Sequence, residues 1–178
     1  MTSTKTTQPA QFTIERTIRG SADAVWRMWT TREGLEAWWG PDGFTSSVRH
    51  LDVRVGGRFE IAMTATNPEI IRFLESSGVP TTSFAKGDYT EIAPPRRLAY
   101  TNAIDFVPGV APYRTTTVVE ITPIDERTTR LVVTNDAMHD AHWTSMASQG
   151  WEQQISKLVS ICDSGVGGVG GGGAGTGG

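Results

Sequence analysis

The chain has 178 residues, the length of one ordinary domain, and its 38% hydrophobic and 20% charged residues exclude a coiled coil and a wholly disordered chain. Sixteen basic against 19 acidic residues leave a formal charge of −3, with no basic footprint for a phosphate backbone, so nucleic acid is not an expected partner. Cys162 is the only cysteine, which excludes an internal disulfide and a cysteine-cluster zinc site; no apolar run is long enough for membrane insertion, and the cytoplasm is the expected compartment.

Residues 1–11 are polar, and residues 165–178 hold ten of the twenty glycines and no charged or aromatic residue, so both ends are expected to be disordered around one domain over 12–164. Phe12, Ile14 and Ile18 are spaced as a strand, which Gly20 interrupts. Ser21 can cap a helix carrying Val25, Met28 and Trp29, and Thr31 a second short helix through Leu35 and Trp38, stopped at Gly40-Pro41. Because Trp38 and Trp39 are consecutive, one ring should sit at a rim, where it could stack on a ligand. From Phe44 the period becomes two, and strands over 44–51 and 58–65 form a hairpin around Gly56-Gly57. Further strands are predicted over 89–92, 97–106, 115–121 and 130–135. After Asp140, which can cap, Met146, Gly150, Trp151, Ile155, Leu158 and Cys162 recur at helical spacing.

These elements give an α+β fold: a curved antiparallel sheet of about seven strands wrapped around a long C-terminal helix, with two short helices after the first strand. One helix cannot fill such a concave face, so a cavity is expected at one end.

Several motifs, in order, carry a resemblance: Val25-Trp26, Trp38-Trp39-Gly40-Pro41, Asp52-x-Arg54-x-Gly56-Gly57, Gly87-x-Tyr89-x-Glu91-Ile92, Pro94-Pro95-x-Arg97-Leu98 and Gly150-Trp151. The chain resembles the bacterial relatives of the activator of the ninety-kilodalton heat-shock protein ATPase, within the START-like, or birch-pollen-allergen-like, superfamily. The resemblance implies a helix-grip fold with a hydrophobic cavity between sheet and C-terminal helix, in a family whose members mostly have no assigned reaction. The eponymous co-chaperone contacts its chaperone through an additional N-terminal domain, whereas eleven residues precede the first strand here, which weighs against a chaperone partner.

Where family members usually have a short hairpin, residues 67–82 form an insert. Asn67 can cap it, Pro68 suits the first helical position and Gly78 the exit, so a helix is predicted over 68–77. Its Ile70, Phe73 and Leu74 need cover: they form either a lid over the cavity mouth or an ordinary surface helix, including one that contacts a second copy in a homodimer.

On the strand after Arg97, Leu98, Tyr100, Asn102, Ile104 and Phe106 share an inward face, which makes Tyr100 and Asn102 the ligand-orienting candidates, unless both bond within the sheet or to the helix start. Phe59, Ile61 and Met63 should line the core or cavity, with Met63 and Met146 as a pliable wall and Trp39 and Trp151 as aromatic contacts. His139, Tyr100 and Glu60 are the acid/base candidates for an enzyme. His139 and His142 fall short of a zinc pattern, and Gly56-Gly57 opens no helix as a phosphate loop must, so neither a metal nor a cofactor is expected. The leading expectation is a domain binding a small hydrophobic, aromatic or lipid-like molecule. The alternatives are a polyketide-cyclase-like enzyme using the same cavity and a co-chaperone or protein-interaction module.

Overall fold

The computed structural model describes residues 10–165; the terminal segments 1–9 and 166–178 lie outside the described residues, and with them the expectation of disorder there. Seven strands form one antiparallel sheet, in the order β1-β7-β6-β5-β4-β3-β2: β1 (Gln11–Arg19), β2 (Phe44–Leu51), β3 (Arg58–Ala65), β4 (Thr82–Ala93), β5 (Arg97–Ile104), β6 (Tyr113–Asp125) and β7 (Thr128–Asp136). The helices are α1 (Ala22–Thr30), α2 (Arg32–Trp38), α3 (Pro68–Ser76) and α4 (Ala141–Asp163).

Strand boundaries differ from the sequence reading: β6 and β7 extend beyond 115–121 and 130–135 at both ends, and the differences in β4 and β5 bear on the site. β4 begins at Thr82 rather than at 89, because pairing of residues 82–88 with β3 overrides the weak strand propensity of Ala85, Lys86, Gly87 and Asp88. β5 ends at Ile104, so Phe106 leaves the concave face and lies exposed, its ring 6.2 Å from that of Trp143.

β1 and β2 are the two edge strands yet are consecutive in the chain, so α1 and α2 carry the backbone across the hollow from one edge to the other. Register shifts at 48–50, 89–91 and 123–125 add the local twist that curls the sheet. The caps form as the sequence directs: the Ser21 hydroxyl accepts from the Ala24 amide at 3.2 Å and the Thr31 hydroxyl from the Gly34 amide at 3.0 Å. Gly34 is required by close approach, since a Cβ there would lie 2.5 Å from the Arg27 carbonyl oxygen of the preceding helix. Trp38 completes the joint by donating its indole N–H to the Met28 carbonyl at 2.8 Å.

α4 lies against β1, α1 and α2, and every α-carbon of it stays more than 8 Å from those of β3 to β7. Its hold on the domain is uneven. Ile155, Leu158 and Cys162 are buried, the Gln154 side-chain carbonyl accepts from the Gly40 amide at 3.1 Å, Lys157 donates to the Gly40 carbonyl at 2.6 Å, and Glu152 pairs with Arg16. Residues 141–150 bury no side chain, and their hydrogen bonds beyond the helix, among the described residues, are cap bonds: the Asp140 carboxylate accepts from the Trp143 amide at 2.7 Å and Thr144 bonds residues 138 and 140.

Candidate functional site

The hollow between sheet and helix is floored by aromatic rings. Trp39 sits 6.1 Å from Phe59 and 5.9 Å from Trp151, and Phe59 meets Tyr100 edge-on at 5.2 Å. Gly87 makes this floor possible, because a Cβ there would lie 2.5 Å from the Phe59 ring and 2.0 Å from the Thr101 carbonyl oxygen. Trp38 and Trp39 are 0% and 7% exposed, so neither ring occupies a rim. α2 ends at Trp38 and Trp39 is already extended (φ −65°, ψ 142°), which frees the second ring from helical spacing and lets both turn inward. The rings leave a void of only about 10 Å³, room for about one water, lined by Trp29, Leu35, Trp39, Ile61 and Tyr100 among others. The wide cavity expected from sheet curvature is therefore absent among the described residues, because side chains fill the hollow.

Beside the rings runs a strip of polar groups on the concave face of β5, β6 and β7. Tyr100 pairs across the sheet with Thr117, Thr117 with Asn135, and Asn102 with Thr115. Asn102 donates its amide to the Thr117 hydroxyl at 3.0 Å, and that hydroxyl donates to the Asn135 carbonyl oxygen at 2.7 Å. Tyr100 is 2% exposed, and burial first, then the neighbouring Tyr89, pushes its phenol well above the ordinary range; it is a neutral donor and not a base. Register reveals Thr115, Thr117 and Asn135, which single-residue reading misses: threonine repeats every second residue ahead of Val119 and Ile121, and only strand pairing shows that these hydroxyls lie opposite Tyr100 and Asn102.

The ends of β3, β5 and β7 and the starts of β2, β4 and β6 lie at one end of the sheet, together with α3 and the start of α4. This is the mouth of the hollow. Met63 and Asn102 are half-buried towards it, Met146 is 51% exposed and Trp151 is half-buried on α4. Tyr113 follows Thr115 on the concave face; its hydroxyl lies 2.9 Å from the His139 Nδ1 and accepts from the His139 amide at 3.3 Å, while the His139 Nε2 lies 3.4 Å from the Asp140 carboxylate. Glu60 pairs with Lys86 in register and alternates with Phe59 and Ile61 onto the convex face, away from these groups. α3 forms as the sequence predicts, with the Asn67 side chain accepting from the Glu69 amide at 2.8 Å. It buries no residue fully: Ile70 packs towards Gly43, Leu74 is half-buried and Phe73 is 67% exposed.

A second depression of about 670 Å³ lies open on the outer side, lined by Ala37, Asp42, Gln153 and Lys157 among others. Gln153 and Lys157 in its lining tether α4 to residues 40–42, and burial lowers the Lys157 ammonium against the opposing pull of Asp42. Among the described residues no three His, Cys, Asp or Glu side chains converge on a metal position, and no helix is long and apolar enough to cross a membrane.

Comparison with solved structures shows the same architecture. A crystal structure of a protein from Chromobacterium violaceum is 23% identical, covers 86% of this chain and 96% of its own, and superimposes with a TM-score of 0.71. The AHSA1 protein from Silicibacter pomeroyi is 20% identical over 85% of this chain and 96% of its own (TM-score 0.65), and the AHSA1-like protein from Aeromonas hydrophila 18% identical over 93% and 100% (TM-score 0.68). No curated protein matches the sequence. The model of the family described as activator of Hsp90 ATPase homolog 1-like protein matches residues 19–163, and with the START-like arrangement of sheet and C-terminal helix this makes the chain a member of that family.

Proposed function

We propose that this domain binds one small, apolar, flat molecule in the hollow between the sheet and α4, admitted when the first half of α4 lifts away from the mouth. The observation that carries this reading is the uneven hold on α4, anchored through residues 152–163 and free of buried side chains over 141–150. Gly150 marks the boundary. A Cβ there would meet nothing within 4 Å, so packing does not demand glycine, and glycine within a helix costs about 1 kcal/mol relative to alanine. In this reading Trp39, Phe59, Ile61, Met63, Met146 and Trp151 give way to the guest and then cover it, Tyr100 and Asn102 orient it, and α3 closes over the mouth with Ile70, Phe73 and Leu74.

Titration with the neutral dye Nile red, followed by dye emission and by quenching of the tryptophans, tests this directly. The expected result is saturable one-to-one binding with micromolar affinity, weakened at least tenfold when Ile61→Trp fills the floor. Absence of saturable binding refutes the reading.

A second reading, proton-transfer chemistry at the mouth, is favoured by the Asp140, His139 and Tyr113 chain, in which the imidazole lies within hydrogen-bond reach of the Tyr113 phenol. It requires His139→Gln to abolish turnover of a bound substrate while leaving its binding intact.

A further inference from the structure

The buried side-chain atoms of the hollow that have no hydrogen-bond partner within the described residues share one chemical character. They are the Trp29 Nε1, the Tyr100 hydroxyl and the Asn135 Nδ2. An indole N–H and an amide NH₂ can only donate, and a buried phenol without a donor beside it offers its proton in the same way. The Thr117 hydroxyl next to Tyr100 spends its only proton on Asn135 and accepts from Asn102, and although it keeps a second lone pair, no hydrogen bond joins it to the Tyr100 hydroxyl. That second bond also fixes the Asn135 amide: its oxygen is held by Thr117, so its NH₂ is the end left over. Asn135 and Tyr100 are 4% and 2% exposed, on strands that flank β6, and Tyr100 and Trp29 both line the void.

Unpaired buried donors call for an acceptor. The charge of that acceptor is set by its surroundings. The side chains lining the void carry no charge, and Arg16 and Glu152, on β1 and α4, are paired with each other. An anion placed there would lose its hydration with no cation to replace it.

We propose that the guest of this hollow is an uncharged molecule whose flat apolar frame carries a carbonyl or ether oxygen, which accepts from Tyr100 and Asn135. This rests on the binding reading above and adds the chemical class of the ligand to it. The aromatic floor receives the frame, and the strip of donors sets which way round it lies.

Three probes on one frame separate the two claims: 2-acetonaphthone with a neutral acceptor, 2-ethylnaphthalene with none, and 2-naphthoate with a charged one, each titrated calorimetrically into the full chain. The ketone is expected to bind about tenfold more tightly than the hydrocarbon, the increment of one or two neutral hydrogen bonds, and the carboxylate more weakly than either. Tyr100→Phe removes only an unpartnered hydroxyl and should fold; it is expected to cut the preference for the ketone over the hydrocarbon to threefold or less. Equal binding of ketone and hydrocarbon overturns the acceptor claim and leaves the binding reading in place. Tightest binding of the carboxylate overturns the claim of neutrality. No binding of any probe overturns the binding reading itself, and this inference with it.

Discussion

Replacing Gly150 by alanine tests whether α4 is built with a weak joint. The added methyl group meets no atom within 4 Å, so it brings no clash and little burial, and its effect comes from helix propensity alone. That gain is about 1 kcal/mol, and for a domain of this size it should raise the melting temperature by about 3 °C. Residues 141–149 bury no side chain and 152–163 hold the anchors, so opening of the first half has to pass through the glycine. Amide hydrogen exchange in the first half should slow about fivefold, the factor that 1 kcal/mol sets on an opening equilibrium, while exchange around Ile155 and Leu158 follows global stability. Association of Nile red should slow by the same factor. Two results refute the reasoning: a lower melting temperature, which would mean that glycine is needed where it stands, or a higher one with unchanged exchange over 141–149, which would mean that the helix does not open there.

Gly87→Ala should destabilise by about 3 kcal/mol in chemical denaturation, since its methyl group would collide with the Thr101 carbonyl and the Phe59 ring; a loss below about 1 kcal/mol would show that the floor is loosely packed. The stability held by Cys162, Tyr89 and Tyr100 should be fully present up to about pH 8.5 and be lost progressively above it. The Cys162 thiol is pushed up to about 11 by burial and by Asp163, and Tyr89 and Tyr100 are raised by burial, so the unfolded chain releases these protons first as pH rises. Cys162→Ala should remove the part of the decline between about pH 8.5 and 11, measured by urea midpoints against pH, and an unaltered profile would contradict the assignment. Phe73→Ser should change stability by no more than about 0.5 kcal/mol, because that ring is 67% exposed; a larger loss would mean that α3 packs more tightly than described.

The elements of this fold are legible because each carries its own local signal. Ser21, Thr31, Asn67 and Asp140 are capping residues and cap the helices where they stand, and the alternation after Phe44 and Arg58 marks the hairpin. The start of β4 is not legible, since Ala85, Lys86 and Gly87 are poor strand formers held in place by β3, and Gly87 is selected by the Phe59 ring above it, a contact between distant residues. The inward face of β5, with Tyr100 and Asn102, follows from alternation, but their partners Thr117 and Asn135 depend on which strands neighbour which. The closed hollow was illegible for the same reason: sheet curvature predicts space, and only the positions of Trp39, Phe59, Tyr100 and Trp151 show how far the rings consume it. Both tryptophans of the Trp38-Trp39 pair turn inward because the helix ends between them, a boundary that hydrophobic spacing does not locate to the residue.

The central claim is that the rings beneath α4 part to receive a guest. Its most direct measurement is an NMR titration with 2-acetonaphthone that follows the indole N–H signals of Trp39 and Trp151 and the side-chain amide of Asn135. The account predicts that these three shift together and saturate at one equivalent, while amides around Ala37 and Ser160 on the outer groove stay still. Shifts confined to the outer groove or to α3, with the three interior signals unmoved at saturation, would contradict it.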